Sequence, residues 1–173
     1  MIKTANTNPT TLQQFGLQNW RNYVAYVPQD IHIFNGTVWE NIALGSNNAD
    51  FKDLEQIQKE VQNIIQFCQK YGFSRYFEAF PQGYFTIIGE NGINLSGGQK
   101  QLLAFARALY KKPQILLLDE ITAAMDIKTE HFVIDLLRKL KENLAIVWIT
   151  HKYQSLENVD SVYQVQNDKM ELV

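Results

Sequence analysis

Two apolar runs in this sequence end in residues that can do chemistry. Residues 115–118 run into Asp119 and Glu120, and residues 144–149 run into Thr150 and His151. A carboxylate at the end of a buried strand suits Mg²⁺, which takes one or two carboxylates together with phosphate oxygens. A second carboxylate beside it can orient or deprotonate a water, and a histidine can hold a phosphate oxygen or position that water. A third group is the stretch NLSGGQKQ, residues 94–101. Ser96 followed by Gly97 and Gly98 leaves backbone N–H groups uncovered at the start of a helix, where an anion is favoured. These residues have the makings of a phosphate cradle, yet the pattern G-x-x-x-x-G-K-[ST], whose lysine reaches the phosphates of a bound nucleotide, does not occur in these 173 residues. Taken singly, an acidic pair at a strand end and a serine-glycine helix cap are ordinary surface features. Their joint occurrence is what calls for an explanation.

The elements that must carry these residues can be read from the spacing. Ser96 and Gln99 match a capping box, so Ser96 is the expected N-cap of a helix. Leu102, Phe105, Ala106 and Leu109 then repeat at helical spacing until Pro113 closes the element. Residues 115–118 read as a buried strand, 128–141 as a helix burying Phe132, Val133, Leu136, Leu137 and Leu140, and 144–149 as a second strand. Strand, helix, strand in this order implies a right-handed crossover between parallel strands. In open α/β sheets ligands bind outside the carboxyl ends of the strands, so Asp119, Glu120 and His151 should reach one edge.

Upstream, residues 23–27 read as a short buried strand stopped by Pro28. Residues 45–50 read as a loop, and 53–71 as an amphipathic helix ended by Gly72. A short helix should begin at Ser74 and end before Pro81, with loop over 86–95. The tail offers a hairpin of 161–165 and 169–172 turning at Asn167 and Asp168.

Bulk composition bounds the possibilities. A hydrophobic share of 46% and a charged share of 20% are those of a globular domain able to bury a core. The net charge of −2 provides no basic footprint for nucleic acid. The apolar runs are far shorter than a membrane-spanning helix needs, and the opening residues MIKTANTNPTT are too polar for a secretory signal. Cys68 has no second cysteine to pair with, and it falls on the apolar stripe of Leu54, Ile57, Val61, Ile64 and Ile65, which predicts a buried core thiol.

Taken in order, these motifs resemble the nucleotide-binding domain of ABC ATPases. LSGGQ (95–99) resembles the family signature, and ILLLDE (115–120) the Walker B strand with its catalytic glutamate. ITAAMD (121–126) resembles the D-loop, with Asp126 in the acidic place. Thr150-His151 resembles the switch histidine, and YVPQD (26–30) the Q-loop with Gln29. Residues 33–45, IFNGTVWENIALG, are similar to the segment following the Q-loop in exporter-type domains. Residues 81–92, PQGYFTIIGENG, are similar to the exporter loop T-E-V-G-E-R-G, matching at Thr86, Gly89, Glu90 and Gly92 and departing at Ile87 and Asn91.

The resemblance implies an α/β fold: a partial P-loop NTPase core (RecA-like, ABC ATPase type) with parallel strands and an inserted α-helical subdomain. That subdomain would span about 46–110, and the Walker B, D-loop and H-loop core 113–173. It implies ATP and Mg²⁺ as ligands. Glu120, His151 and Gln29 would be catalytic and Asp119 and Gln29 metal-associated. Ser96, Gly97, Gly98, Gln99 and Asp126 would contact nucleotide. In this family the signature closes over an ATP held by the P-loop of a partner domain, which is why a cradle without its own lysine is sensible chemistry. A second nucleotide-binding domain, arranged head to tail, and the transmembrane domains of a transporter are thus the implied partners, with no nucleic acid. The implied location is the cytoplasmic face of the cell (inner) membrane. The family's P-loop and adenine-stacking aromatic lie upstream of the Q-loop, so the sequence reads as a domain without its N-terminal portion.

Two other functional classes stay open at this point. One is a non-catalytic interaction module that lends Ser96, Gly97 and Gly98 to another subunit. The other is a soluble chromosome-maintenance or repair ATPase, although the spacing from Gln29 to Ser96 leaves no room for the long coiled coil of those proteins.

A chain with this sequence lacks the lysine and amide nest that grip the β- and γ-phosphates. We expect the isolated 173-residue chain to bind Mg-ATP with a dissociation constant of about a millimolar or weaker, roughly −4 kcal/mol, and not to hydrolyse it. Titration calorimetry checks this, and micromolar binding would contradict it.

Overall fold

The computed structural model describes residues 16–44, 53–152, 159–166 and 169–173. The expected loop at 45–50 and the hairpin turn at Asn167 and Asp168 lie outside the described residues.

The sheet that carries the strand-end chemistry is parallel. Strand β1 (Val24–Val27) pairs with β4 (Ile115–Asp119), and β4 pairs with β5 (Ala145–Ile149). Val27 stands level with Leu118, and Asp119 with Ile149, so all three strands finish at one edge. The helix between β4 and β5, α6 (Ile127–Leu140), supplies the crossover that a parallel pair requires. Ala25, Val27, Leu116 and Leu118 are buried on one face, while Tyr26, Val147 and Ile149 on the other remain more than half exposed.

The helices form where local sequence supports them. Helix α3 (Leu54–Tyr71) is capped by Asp53, whose carboxylate accepts from Gln56 N, and ends at Gly72, which sits in the left-handed region at φ 81°. It buries Val61, Ile64, Phe67 and Cys68 at helical spacing. Helix α5 (Gly97–Tyr110) carries the expected capping box of Ser96 and Gln99, and packs against β1, α3 and α2 (Val38–Ala43). A short α4 (Ser74–Phe77) follows α3. Cys68 has no exposure, and burial pushes its thiol up to about 12, as befits a core residue rather than a nucleophile.

The structure departs from the sequence-based expectation in three places. Tyr23 ends helix α1 (Leu17–Tyr23) and does not open the strand. Residues 86–95 are not all loop, because β3 (Ile87–Ile88) pairs antiparallel with β2 (Gly36–Thr37). Helix α2 was not foreseen, since six residues are too few to display a period. Its signal was the capping box Thr37–Glu40, present in full in the structure. At the C-terminal end, β6 (Tyr163–Gln166) and β7 (Lys169–Leu172) pair antiparallel as the hairpin pattern predicts.

Phe73 is the hub of the helical packing. It has no exposure, and its ring lies 5.9 Å from Phe67, 6.0 Å from Phe77, 5.8 Å from Phe105 and 5.6 Å from Phe132. One side chain therefore joins α3, α4, α5 and α6. Phe73→Ala should cost about 3–5 kcal/mol of unfolding free energy, read by urea denaturation. A loss below about 1 kcal/mol, the mean cost of an ordinary substitution, would show that the cluster does not hold the helices together.

Candidate functional site

The candidate site is built where the parallel strands end. Beyond β4 the chain turns sharply, and Glu120 adopts the left-handed region at φ 51°, which few residues other than glycine enter. Such a backbone persists only when its surroundings over-determine it. Here they do. The Glu120 N–H donates to the Ile149 carbonyl at 3.0 Å, and the Glu120 carbonyl accepts from Ala123 N at 3.0 Å and from Gln101 Nε2 at 3.0 Å. The side chain is held as well, because the His151 backbone N–H donates to Glu120 Oε1 at 3.0 Å.

The His151 imidazole Nε2 lies 3.6 Å from Glu120 Oε1. The carboxylate side chain is only 12% exposed and the imidazole 94% exposed, so the acid is sheltered while the ring faces outward. Asp119, one residue earlier, takes a hydrogen bond from the Tyr26 hydroxyl to Oδ2 at 3.2 Å. Gln29 lies two residues beyond β1 at the same edge and is exposed. The fold thus brings Gln29, Asp119, Glu120 and His151 to the carboxyl ends of three adjacent strands.

A second cluster meets the first through the turn 120–126. Ser96 is the N-cap of α5. Its Oγ accepts from Gln99 N at 3.2 Å, while Gln99 Oε1 accepts from Ser96 N at 2.8 Å. The N–H groups of Gly97 and Gly98, in the opening turn of the helix, have no intrahelical acceptor. The glycines have a further reason to be glycine. A Cβ on Gly97 would lie 2.8 Å from the Ala124 Cβ, and one on Gly98 would lie 2.8 Å from the Ala124 carbonyl oxygen and 3.2 Å from the Met125 Cα. The start of α5 is therefore pressed against the turn that follows Glu120.

Asp126 closes that turn as the N-cap of α6. Its Oδ1 accepts from Thr129 N at 3.0 Å and its Oδ2 from the Thr129 hydroxyl at 2.8 Å. These bonds, the backbone one first, hold its carboxyl below the usual aspartate range. With a depressed folded-state pKa, the contribution is complete above the ordinary aspartate range and fades as pH falls through the lowered value.

Several residues that sequence spacing did not single out hold this arrangement. Gln101 is 5% exposed and bonds the turn at both ends, through Nε2 to Glu120 O and by accepting from Ala124 N at 3.1 Å. Lys152 Nζ donates to Thr122 O at 3.0 Å and to Glu130 Oε1 at 2.9 Å, tying the residue after His151 to α6. Arg107 donates through Nε to Asn41 O at 2.8 Å, through Nη2 to Asn41 Oδ1 at 2.9 Å and through Nη1 to His32 O at 3.2 Å. It thereby anchors the segment that follows Gln29. No local motif announces them, because their partners lie 19 to 75 residues away in sequence.

The donor set fits a Mg²⁺ ion that arrives with phosphate better than a resident metal. Among the described residues no group of three or more histidine, cysteine, aspartate or glutamate side chains could hold a metal. Asp119 offers a carboxylate at the edge where the exposed Gln29 also lies, and Mg²⁺ takes one or two carboxylates together with substrate phosphates. No described helix is long and apolar enough to cross a membrane.

The sequence also matches known proteins. A family model described as ABC transporter matches residues 3–123. The chain is 39% identical over 152 residues to the mitochondrial ATP-binding cassette sub-family B member 10 of Mus musculus, covering 87% of the chain and 20% of that protein. It is 35% identical over 159 residues to the ATP-dependent lipid A-core flippase of Haemophilus influenzae (strain 86-028NP), covering 92% of the chain and 26% of the flippase. Among solved structures, a bacterial Atm1-family ABC exporter with ATP bound superimposes with a TM-score of 0.74 and 31% identity over 88% of the chain and 25% of the exporter. The chain thus spans about a quarter or less of the length of each of these proteins.

The contacts of the two glycines separate cleanly by experiment. Gly98→Ala meets backbone atoms that cannot be removed, and should cost about 1–3 kcal/mol, more than the helix-propensity gain of up to about 1 kcal/mol. Gly97→Ala meets a side-chain carbon, so Ala124→Gly should restore most of its loss and do little for Gly98→Ala. Denaturation of the two double variants checks this, and equal rescue of both would contradict the packing.

Proposed function

Because the chain belongs to the ABC transporter family, we propose that it is the ATP-hydrolysing part of an exporter, coupling hydrolysis to movement of a peptide, lipid or drug-like substrate across a membrane. The observation that carries this reading is Glu120, held in a left-handed backbone with its carboxylate between the His151 backbone N–H and imidazole, next to Asp119. A sheltered carboxylate at the ligand edge of a parallel sheet is suited to take a proton from an attacking water. His151, exposed and close to that carboxylate, is suited to orient the water or to hold a phosphate oxygen. Asp119 and Gln29 would hold Mg²⁺, which when bound neutralises charge on the phosphate oxygens.

Ser96, Gly97 and Gln99 are exposed at a helix start, with Gly98 buried beneath them against Ala124, and this end of α5 would be offered to a nucleotide on a partner domain. Asp126, spent on capping α6, sets the end of the turn presented to the same partner. The assembly that follows is a head-to-tail pair of nucleotide-binding domains beneath transmembrane domains, on the cytoplasmic face of the membrane. Similarity to a lipid A-core flippase and to an exporter with ATP bound supports the exporter type.

In the full-length protein carrying this chain, Glu120→Gln should lower steady-state ATP hydrolysis by about 100-fold or more, the range for loss of a general base. Nucleotide binding should be preserved, since the amide keeps the shape and an acceptor for the His151 N–H. Turnover unchanged in this variant would overturn the assignment.

A further inference from the structure

Gln101 is an uncharged, buried residue in the middle of a helix, and both polar ends of its side chain are spent on a turn that belongs to another part of the chain. Its amide is interposed between the Glu120 carbonyl and the Ala124 N–H, the two groups that would bond each other if the turn were a helix. One side chain therefore replaces the i to i+4 bond that would have continued the chain as a helix after β4. The turn it leaves is closed by the Ala123 N to Glu120 O bond, and Glu120 keeps φ at 51°.

Gly97 and Gly98 lie four and three residues before Gln101, on the same face of α5. Those two positions meet Ala124 and Met125 too closely for any side chain. Three residues of one helix face thus seat the whole turn. Two do so by having no side chain, and the third by hydrogen bonding it at both ends.

From this geometry we propose that Gln101 is a positioning residue for the hydrolytic reaction, holding Glu120 in its left-handed backbone so that the carboxylate stays on His151. The proposal rests on the reading of Glu120 as the group that accepts the proton from water. The physical chain is short. Residues other than glycine favour negative φ, so Glu120 relaxes toward that region when a support is removed. Its N–H is fixed from β5 by Ile149, and its carbonyl is held within the turn by Ala123 N and from α5 by Gln101. With the Gln101 anchor gone only the local Ala123 bond holds the carbonyl, and rotation about the Cα redirects the side chain away from the His151 N–H. Gln101 is buried and spends its amide on the backbone of the turn, at Glu120 O and Ala124 N, so it acts through Glu120. Because it shares a face with Gly97 and Gly98, it also makes the signature end of α5 and the glutamate turn a single piece. A load on Ser96 to Gly98 from a partner's nucleotide is then felt at Glu120.

The test uses the full-length protein carrying this chain, with Gln101→Met, which keeps the size and removes both hydrogen bonds, and Gln101→Glu, which keeps an acceptor for Ala124 N and loses the donor to Glu120 O. Steady-state kcat should fall about 10-fold or more in both, while KM for ATP stays within about 2-fold, the signature of a lost interaction that matters only in the reaction. Amide exchange measured by mass spectrometry should speed up by about 10-fold or more in the peptide covering 120–126 and not in peptides of β4 or α6. Unchanged kcat together with unchanged exchange in 120–126 overturns the proposal. So does protection lost evenly across α5, β4 and α6, which would make Gln101 a packing residue and nothing more. Should Gln101→Met fail to fold, Gln101→Glu alone decides by the same two readouts. Glu120→Gln measured alongside separates the two levels. Hydrolysis that survives it removes the reading of Glu120, whereas exchange at 120–126 tests the grip of Gln101 independently.

Discussion

Glu120 occupies a backbone conformation that its own chemistry disfavours, and much of the site is arranged to keep it there. A glycine would enter the left-handed region at no steric cost, but glycine has no carboxylate. The chain keeps the carboxylate and meets the conformational cost, of order 1–3 kcal/mol, with bonds from three directions. The last residue of β5 takes its N–H, the middle of α5 and the turn itself hold its carbonyl, and the backbone after β5 holds its side chain. Strand ends and helix are thereby fixed relative to one another by a single residue. Parallel pairing of β4 with β5 is a precondition, since it brings Ile149 and His151 level with Asp119 and Glu120.

The same turn explains why α5 begins as it does. Uncovered N–H groups at a helix start favour an anion, which is one reason for glycine. Close approach to Ala124 and Met125 is another, and it acts without any ligand. Close approach alone is therefore sufficient to account for glycine at both positions. On the other flank, Lys152 bonds Thr122 and Glu130, so the turn is held from α5 on one side and from the segment after β5 on the other. Further along the edge, Arg107 and the buried Asn41 fix the stretch after Gln29 through backbone carbonyls. Burial lowers the pKa of that guanidinium without discharging it, so its donors remain available.

Among the described residues one face of the parallel sheet is well covered and the other is not. Parallel sheets are ordinarily buried on both faces, and Tyr26, Val147 and Ile149 are more than half exposed. The covered face is where α5 packs on β1 and where the Phe73 cluster joins the helices. Helical packing is therefore concentrated on the side from which α5 supports the turn. The polar residues at the strand ends sit at the edge of that packed base.

Much of this was legible from the sequence. The strand at 115–118 and its Asp119-Glu120 end, the crossover helix, the second strand with His151 after it, and the Ser96 cap are all encoded within a few residues of themselves. Alternation, helical spacing, a capping box and a helix-ending glycine act over one to four positions, so one short window suffices to see them. The amphipathic helix over 53–71 was readable for the same reason. What only the tertiary structure decided are relations between distant segments. Nothing in the sequence near Glu120 demands φ of 51°, and nothing near Gln101 marks it as the partner of a turn 19 residues later. The clash that makes Gly98 obligatory comes from Ala124, and β2 finds β3 across 50 residues of chain. Such contacts are set by how whole elements pack, because a buried amide or a bare Cα has no preference until the surface opposite it exists.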